Sequence, residues 1–522
     1  MKTKILSASD SDIALAGEIL QKGGLVAFPT ETVYGLGANA LNEEAVKKIY
    51  TAKGRPSDNP LIVHIAKKED IAPLVKEITP KAQALIDAFF PGALTIILPK
   101  SRLIGNVVSG GLDTVAVRMP KNKIANRLIA AAGCPVAAPS ANTSGLPSPT
   151  VARYVIADMN GRIDAIIDGG DCEYGVESTV ITLAGETPVI LRPGAVTKEM
   201  IEAVIGRVEI AKAVLEGMAN DEVAASPGMK YKHYAPRAQV FIVNADKNEY
   251  EDFVNSQKNA FALCFEDDCV NIPKVTFGKE NDGASQAREL FTALRELDEM
   301  GAKKVYARNP GIEGVDMAVY NRLIRAAAFK VIDLKKPFFI GLTGPTGAGK
   351  GFAGKYFARL GFNVLDSDSF VKNIYESNTE LLSAIEKEFG AGIVENGVLN
   401  RKRLAAAAFS SKESTARLNA LVHPLVIAEC EQAAKGLTVL DAPQLFEARA
   451  QDKCFKVVCI TADKDIRLKR ITQRDGLTRE QALERMNAQL DEDYYIAHSD
   501  YVIYNNGENI EEQIDKILED IL

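Results

Sequence analysis

The 522-residue sequence lacks the patterns that mark a nucleic-acid-binding, membrane-spanning or secreted protein. Its 62 Lys and Arg residues are outnumbered by 69 Asp and Glu residues, so its net charge of −7 gives no overall positive field. No run of apolar residues reaches the length of about 18 that a membrane-spanning helix needs. The N-terminal sequence MKTKILSASDSD lacks the apolar core of a signal peptide. We therefore expect a cytoplasmic protein that has no membrane attachment and forms no stable nucleic-acid complex.

Cysteine is also sparse and shows no pattern. The seven cysteines are dispersed without a C-x-x-C pair, and an odd, scattered set is typical of reduced thiols in the cytosol. Cys264 and Cys269 lie five residues apart, but no nearby His or Cys cluster completes a metal site with them. We expect structural cysteines.

Short apolar runs alternate with segments of helical period along the whole chain. The runs at 25–28, 61–65, 94–98, 114–117 and 135–138 are typical of buried strands. Such alternation predicts an α/β fold throughout. A length of 522 residues fits three or four domains of about 150 residues each.

Composition and motifs suggest where the domains meet. We predict a first α/β domain at 1–207, a linker at 208–238, a second α/β domain at 239–335 and a third at 336–522. The segment SPGMKYKHYAPRA at 226–238 has Pro and Gly at its ends, but it is richer in aromatic and basic residues than a plain spacer.

A phosphate-binding loop is predicted in FFIGLTGPTGAGKGFAGKYFARL at 338–360. Gly344, Gly349 and Lys350 fit the spacing G-x-x-x-x-G-K, between an apolar run and an amphipathic helical stretch. In such a loop the backbone N–H groups, the helix N-terminus and the lysine all face an anion. The alternative is an ordinary glycine-rich turn. The predicted ATP ligands are Gly344, Gly347, Ala348, Gly349, Lys350 and Gly351.

The first 200 residues contain several loops dense in hydroxyl, amide and cationic groups. PTETVYGLG at 29–37 and PSANTSG at 139–145 each follow a predicted strand, where α/β sheets bind ligands. In KGRPSDNPLIVH at 53–64, we expect Lys53 and Arg55 to occupy alternate positions of an extended loop and so to project together toward phosphates or carboxylates. Each string alone could be a surface loop, but together they indicate a site for a nucleotide and a small zwitterion.

With PGALT at 91–95, VRMP at 117–120, STV at 178–180 and LRPGA at 191–195, these strings resemble the long form of the threonylcarbamoyl-AMP synthase family. The resemblance implies a YrdC-like α/β domain followed by a small Rossmann-like α/β domain. It also implies synthesis of L-threonylcarbamoyl-adenylate from L-threonine, bicarbonate and ATP with Mg²⁺, releasing pyrophosphate. The product would pass to a downstream tRNA-modifying transferase that makes threonylcarbamoyladenosine.

This chemistry requires positioning and charge neutralisation more than a protein nucleophile, because the carbamate oxygen itself attacks the α-phosphate. We predict that Lys53 and Arg55 neutralise the triphosphate. By resemblance, threonine is bound by Thr32, His64, Arg118 and Ser178. By the same resemblance, the nucleotide contacts Asn59, Thr114, Ser140, Ser148, Arg192 and, from a linker folded over the site, Tyr234. For residues 239–335 we expect a closing or regulatory role.

The last third of the chain resembles a second family. Beyond the glycine-rich loop, the strings LNRKRLAAAAF at 399–409, LVHP at 421–424, VLDAPQLFE at 439–447, RITQRDG at 470–476 and YNNG at 504–507 resemble dephospho-CoA kinase. The resemblance implies a P-loop kinase with a parallel sheet and a helical lid and substrate region. Such an enzyme transfers phosphate from ATP to the 3′-hydroxyl of dephospho-CoA.

The resemblance also assigns roles in this kinase. Asp368 would accept the hydroxyl proton, Lys350 would bridge phosphates, and Arg470 and Arg474 would belong to the closing lid. Magnesium needs another ligand here, because Gly351 stands where the family has a Ser or Thr hydroxyl. The candidate ligands are Asp366 and Asp441.

Two alternative functions stay open at this point. Gly351, Pro345 and Gln444 depart from the kinase pattern, so this part of the chain could be a degenerate nucleotide-binding module. The first part could be mainly an RNA-binding module, although its acidic balance and substrate-type motifs argue against that.

Overall fold

The computed structural model describes residues 2–57, 59–214, 234–335, 338–507 and 509–521. It forms two compact units, residues 1–331 and 332–522, which we describe separately. Most of the predicted linker, residues 215–233, lies outside the described residues.

The first domain of the first unit is built on one mixed sheet of eleven strands. The strands are β1 (Lys4–Leu6), β2 (Val26–Phe28), β3 (Gly35–Asn39), β4 (Ile62–His64), β5 (Leu94–Pro99), β6 (Thr114–Arg118), β7 (Val136–Ala137), β8 (Ala165–Ile167), β9 (Thr179–Thr182), β10 (Val189–Arg192) and β11 (Glu209–Ile210). Their order across the sheet is β1-β8-β2-β3-β7-β4-β6-β5-β9-β10-β11. Each of the five apolar runs predicted as strands in this domain overlaps one of these strands.

Seven α-helices cover this sheet. They are α1 (Asp10–Gln21), α2 (Glu43–Lys53), α3 (Pro80–Phe89), α4 (Asn106–Ser109), α5 (Lys123–Ala132), α6 (Ala152–Met159) and α7 (Lys198–Ile205). Helix α2 begins at Asn42, whose side chain accepts a hydrogen bond from the Ala45 N–H, and it ends at Gly54 in the left-handed region. This stop places Lys53 in the last helical turn and Arg55 in the loop beyond it.

The register of two central strands positions two predicted ligands. Strands β4 and β6 run parallel, and His64 pairs with Arg118 at their carboxyl ends. Both side chains are buried, at 3% and 4% exposure. Carboxyl ends of parallel strands are the usual ligand-binding edge of an α/β sheet.

The second domain of the first unit has a smaller sheet in the order β14-β13-β15-β12-β16, in which β12, β13, β14 and β15 run parallel. Its helix α9 packs through Leu290, Phe291 and Leu294, all fully buried. The elements are β12 (Gln239–Asn244), α8 (Lys247–Ser256), β13 (Phe261–Cys264), β14 (Lys274–Thr276), α9 (Gly283–Glu299), β15 (Lys304–Arg308), α10 (Asp316–Ala326) and β16 (Val331–Asp333).

The second unit contains a five-stranded parallel sheet and a small hairpin. The sheet order is β18-β21-β17-β22-β23, with β17 central, and β19 pairs with β20. The strands are β17 (Phe338–Thr343), β18 (Asn363–Asp366), β19 (Val394–Glu395), β20 (Val398–Leu399), β21 (Leu437–Asp441), β22 (Cys454–Thr461) and β23 (Tyr501–Tyr504).

Nine α-helices accompany these strands in the described part of the second unit. They are α11 (Lys350–Arg359), α12 (Ser367–Ser377), α13 (Thr379–Phe389), α14 (Arg401–Ala408), α15 (Lys412–Ala433), α16 (Lys464–Asp475), α17 (Arg479–Asn487), α18 (Glu492–Ala497) and α19 (Ile510–Ile521). The predicted α/β fold is confirmed in both units. Of all the helices in the described residues, none combines the length and apolar character needed to cross a membrane.

Candidate functional sites

The first domain contains a cavity with about 700 Å³ of empty volume, counting space open to solvent. Ten residues predicted from sequence line it: Thr32, Lys53, Arg55, His64, Arg118, Ser140, Ser148, Ser178, Arg192 and Tyr234.

Arg118 is held in this cavity by a buried carboxylate. Its Nη2 donates to Glu31 Oε1 at 2.7 Å, its Nη1 to Thr32 Oγ1 at 2.9 Å and its Nε to Gly92 O at 3.2 Å. Burial disfavours the charge on Glu31, but the charge and hydrogen bonds of Arg118 outweigh it and lower the pKa of Glu31. The guanidinium therefore enters the cavity in a fixed orientation.

His64 lies beside Arg118 as a neutral ring. Burial, and then the charge of Arg118, lower the pKa of His64 to about 3. Its Nδ1 lies 3.2 Å from Ile62 O, which can accept a hydrogen bond from this nitrogen in the tautomer that protonates it. A neutral imidazole in this position can orient a polar ligand without adding charge.

Ser178 and Arg192 form a second polar cluster in the lining. Arg192 donates to Ser178 O at 3.1 Å and to Ser178 Oγ at 3.2 Å. The Ser178 hydroxyl also lies 2.8 Å from Thr95 Oγ1. Both residues are buried, so these bonds fix the direction in which each side chain meets a ligand.

Lys53 and Arg55 behave differently, although both line the cavity. Lys53 is only 2% exposed, and its Nζ donates to Ser140 O at 2.5 Å, Asn142 O at 2.6 Å and Asn142 Oδ1 at 3.2 Å. An ammonium group has three donors, so Lys53 uses all of them to hold the loop at 139–145. Arg55 is half-buried, and its Nη2 lies 3.3 Å from Pro60 O. Contact of either cation with phosphate stays a prediction.

Asn59 and Thr114 are predicted nucleotide ligands that do not line the cavity. Thr114 begins β6, two residues before Ala116, which pairs with Ile62. Asn59 precedes β4, and its buried carboxamide has no hydrogen-bond partner among the described residues. Their predicted contact with nucleotide is untested.

Tyr234 reaches the cavity from the described end of the predicted linker, shortly before β12 begins. The ring is 5% exposed and packs on Phe291 of α9, with ring centroids 5.1 Å apart. The next residue, Ala235, donates its N–H to Gly145 O at 3.0 Å. The rest of the aromatic and basic linker segment, residues 226–233, lies outside the described residues.

The second unit has its predicted site at the carboxyl end of β17. Gly344, Gly347 and Gly349 all have positive φ, at 136°, 80° and 108°. A Cβ at Gly344 would lie 2.1 Å from Ile460 O, so no other residue fits there. The Lys350 Nζ donates to Gly344 O at 2.7 Å, which curls the loop around the lysine.

Three carboxylates stand near Lys350. Burial and the neighbouring Asp366 and Asp368 raise the pKa of Asp441 to about 6, although Lys350 acts in the opposite direction. Burial and Asp366 also raise the pKa of Asp368, again against Lys350. Asp366 caps helix α12 by accepting from the Asp368 N–H at 3.1 Å and the Ser369 hydroxyl at 2.8 Å. Within the described residues, no three His, Cys, Asp or Glu side chains are arranged as a metal site.

Helix α16 and the segment after α17 contact the glycine-rich loop. Arg470 donates to Ala348 O at 3.3 Å and to Asn505 O at 3.0 Å. The Thr346 N–H donates to Gln489 Oε1 at 2.7 Å. Arg474 instead pairs with Asp475, at 2.7 and 2.9 Å, on the surface of the unit. The structure thus brings Arg470 into hydrogen-bond contact with the loop, whereas Arg474 bonds to Asp475 and acts on Lys350 only through its charge.

Comparison with known families gives two family matches in the first unit and a different one in the second. Residues 18–194 match the family described as telomere recombination, and residues 196–328 match the threonylcarbamoyl-AMP synthase C-terminal domain. Residues 338–511 match dephospho-CoA kinase.

Individual relatives agree with these matches. The threonylcarbamoyl-AMP synthase of Pyrococcus abyssi is 47% identical over 329 residues, which are 61% of this chain and 95% of the relative. The dephospho-CoA kinase of Syntrophotalea carbinolica is 35% identical over 187 residues, 34% of this chain and 88% of the relative. The chain belongs to the threonylcarbamoyl-AMP synthase and dephospho-CoA kinase families. It is therefore an enzyme that joins two transferases in one polypeptide, as the sequence predicts.

A solved structure supports the synthase half. The crystal structure of P. abyssi Sua5 complexed with L-threonine has a TM-score of 0.61 and 45% identity, and it covers 63% of this chain and 99% of that chain. Both domains of the first unit thus follow the synthase architecture.

Several residues of the synthase site were missed by sequence reasoning. Glu31 lies inside the string PTETVYGLG, and Glu177 directly precedes the string STV, so these strings were the available signal for them. Asn142 lies in PSANTSG and anchors Lys53. Arg322, which binds Glu177, lies in a helix of the second domain and carries no sequence signal.

Proposed function

We propose that the first unit condenses L-threonine, bicarbonate and ATP into L-threonylcarbamoyl-adenylate and releases pyrophosphate. The carbamate formed from the threonine amine and bicarbonate attacks the α-phosphorus, and the bond to the β-phosphate oxygen breaks. The product carries a threonylcarbamoyl group for transfer to tRNA by a downstream transferase.

The charge of the cavity lining carries this proposal. Lys53, Arg55, Arg118 and Arg192 line the cavity against one lining carboxylate, Glu177. Glu31 balances Arg118 from outside the lining, Arg322 pairs with Glu177, and burial lowers the pKa of Lys53, so the fixed excess of positive charge comes from Arg55 and Arg192. This excess suits a triphosphate and stabilises the charge that develops on the leaving pyrophosphate.

The lining also suits the second substrate. Arg118 offers a fork for the threonine carboxylate, with Thr32, His64 and Ser178 around the rest of the amino acid. Ser140, Ser148, Arg192 and Tyr234 are assigned to the nucleotide. We extend this assignment to Asn59 and Thr114 on the resemblance alone.

For the second unit we propose phosphorylation of the 3′-hydroxyl of dephospho-CoA. Asp368 accepts the hydroxyl proton, Lys350 and the loop N–H groups hold the phosphates, and Arg470 closes on the loop. Arg474 is assigned to the lid in its closed form.

Of the two candidate magnesium ligands in the kinase, Asp441 is better suited than Asp366. Carboxylate oxygens are the ligands that Mg²⁺ prefers, and Asp441 is a partly buried carboxyl in an acidic cluster, whereas Asp366 caps a helix. When bound, the ion neutralises phosphate charge. Asp441 would hold it, with Asp366 as the less suited alternative.

We retain the domain boundaries proposed from sequence: 1–207, 208–238, 239–335 and 336–522. The chain would act in the cytoplasm, where its substrates are found.

An assay of the whole chain tests both activities. Pyrophosphate release should require ATP, L-threonine and bicarbonate together, and CoA should form from dephospho-CoA and ATP. Pyrophosphate release that is indifferent to threonine would contradict the synthase assignment.

Two variants of the second unit, one a test and one its control, examine the kinase assignment. Asp368→Asn should lower kcat while sparing ATP affinity, because the proton acceptor is lost but the phosphate contacts remain. Asp465→Asn, an exposed acid on α16, should change neither quantity. If the wild type binds ATP but forms no CoA at any Mg²⁺ concentration, the degenerate-module alternative replaces the kinase assignment.

A further inference from the structure

The second domain of the first unit reaches the back of the synthase cavity through two buried arginines. Arg295 of α9 is 8% exposed, and Arg322 of α10 is fully buried. Arg295 binds the Asp158 carboxylate at 2.9 and 3.2 Å and Pro147 O at 2.6 Å. Pro147 precedes Ser148 of the cavity lining, so the two domains meet directly behind the site.

Arg322 makes a more extensive set of bonds at this position. Its Nε donates to Glu177 Oε2 at 3.0 Å, its Nη2 to Glu177 O at 3.2 Å and its Nη1 to Pro193 O at 2.5 Å. Neither Arg322 nor Pro193 lines the cavity, whereas Glu177 does. Arg322 therefore acts on the lining from behind.

These bonds join two segments that carry predicted ligands. Glu177 directly precedes Ser178, and Pro193 directly follows Arg192. One guanidinium thus sets the spacing between the two segments.

The two segments pack closely, backbone against backbone, at this contact. A Cβ added at Gly194 would lie 2.7 Å from Glu177 O and 2.4 Å from the Thr179 nitrogen. On the other side, a Cβ at Gly175 would lie 2.3 Å from the Arg288 Cα of helix α9. Helix α9 of the second domain thus packs directly against the backbone two residues before Glu177.

The carboxylate of Glu177 extends this chain of bonds into the cavity. While Oε2 binds Arg322, Oε1 accepts the Ser148 hydroxyl at 2.6 Å. Burial opposes the charge on Glu177, but Arg322 and then Arg192 outweigh it and lower the pKa of Glu177. A charged, doubly bound carboxylate fixes the direction of the Ser148 hydroxyl.

We propose that Arg322 is a positioning residue of the synthase, through which the second domain holds the nucleotide side of the cavity in its binding geometry. The inference rests on the proposed function for the assignment of Ser148 and Arg192 to the nucleotide. The threonine side has independent support, because Ser178 is also held by Thr95 and Arg118 by Glu31.

The test is Arg322→Lys in the full chain, with ATP and L-threonine affinities measured separately by calorimetry. Every variant is compared in a Lys350→Ala background, so that ATP binding by the second unit does not contribute. Lysine keeps the charge, but a single ammonium cannot reproduce the three directed bonds of the guanidinium. We expect ATP affinity to fall by about tenfold or more, since small misplacements of binding groups are costly. L-Threonine affinity should stay within about twofold, as for sites that are not coupled.

Arg153→Lys is the matched control. Arg153 pairs with Glu296 across the same two domains at 3.6 Å, but both side chains are exposed, at 61% and 43%, and neither touches the lining. This variant should keep both affinities.

Two results would overturn the proposal. One is an Arg322→Lys variant with the ATP affinity of the Arg153→Lys control. The other is a parallel loss of ATP and threonine binding with a lowered melting temperature, which would mean a structural role alone.

A second variant covers the case in which Arg322→Lys does not fold. Glu177→Gln combined with Arg322→Gln removes both buried charges together, which proteins tolerate better than the loss of one. An ATP-specific loss in this double variant supports the proposal, whereas wild-type ATP affinity, or failure of this variant to fold as well, rejects it. The proposed function fails separately if the wild type releases no threonine-dependent pyrophosphate.

Discussion

Replacing Glu31 by Gln removes the charge that balances Arg118 inside the synthase cavity. The two side chains are 2% and 4% exposed and lie 2.7 Å apart, so the variant leaves a buried cation without its partner. The Gln amide also cannot accept on both sides, and Glu31 Oε2 now accepts the Asn122 N–H at 3.1 Å. Breaking one side of a buried ion pair costs about 3–5 kcal/mol.

This cost predicts a measurable change in melting. At about 2 °C per kcal/mol for a unit of this size, the melting temperature of the first unit should fall by about 6–10 °C. L-Threonine should narrow the gap between variant and wild type, because its carboxylate replaces the missing negative charge beside Arg118. The measurement is differential scanning calorimetry of the full chain with and without L-threonine, which identifies the transition of the first unit.

An exposed ion pair supplies the control for this experiment. Glu44 pairs with Lys47 at 2.6 Å, with side chains 78% and 55% exposed, so Glu44→Gln should leave the melting temperature nearly unchanged because solvent screens the pair. If Glu31→Gln melts like Glu44→Gln, the buried pair does not stabilise the fold as argued. If L-threonine stabilises the variant and the wild type equally, its carboxylate does not meet Arg118.

Four further outcomes follow from the two sites. Arg55→Ala should lower the rate of adenylate formation by about 10²–10³ with an unchanged melting temperature, since Arg55 is half-buried in a loop; retention of half the activity would remove it from the site. Gly351→Ser should reduce the Mg²⁺ concentration needed for CoA formation, because a Cβ there meets nothing within 4 Å; an unchanged Mg²⁺ titration would argue against a hydroxyl ligand at this position. A chain ending at residue 335 should keep threonine-dependent pyrophosphate release, because the first unit is compact by itself; aggregation would show otherwise. Folding lowers the pKa values of Glu31 and Glu177 from 4.5. The stability that these two carboxylates give to the folded state should therefore be complete above about pH 4.5 and be lost as the pH falls through their folded-state pKa values, which a pH series of melting temperatures would follow.

Local sequence was enough to define the fold class and ten of the residues that line the cavity, although it also pointed to Asn59 and Thr114, which do not line it. Strands β4 and β6 were visible as apolar runs because a buried strand needs side chains that tolerate burial on both faces. The glycines of the phosphate-binding loop were visible because Gly344 and Gly349 adopt φ values that other residues avoid. Motif strings placed most of the cavity-lining residues correctly because each string lies in one loop at a strand end.

The roles within the cavity depend on contacts between distant segments. Lys53 was predicted as a phosphate ligand, yet its three donors go to loop oxygens almost ninety residues further along the chain. The local sequence does not contain that information, since the residues around Lys53 are the same whether its ammonium group binds phosphate or loop oxygens of the protein. The same holds for Asp366, whose capping bonds to α12 compete with a metal.

The sequence by itself determined the two enzyme families, the α/β class and the loops that form the sites, because these depend on side-chain patterns within a few residues. Only the tertiary structure decided which buried charges have a partner of opposite charge, and which residue that partner is. Glu31 meets Arg118 across 87 residues, and Glu177 meets Arg322 across 145 residues and between two domains. Buried charges need partners at hydrogen-bond distance, and folding alone brings those partners together.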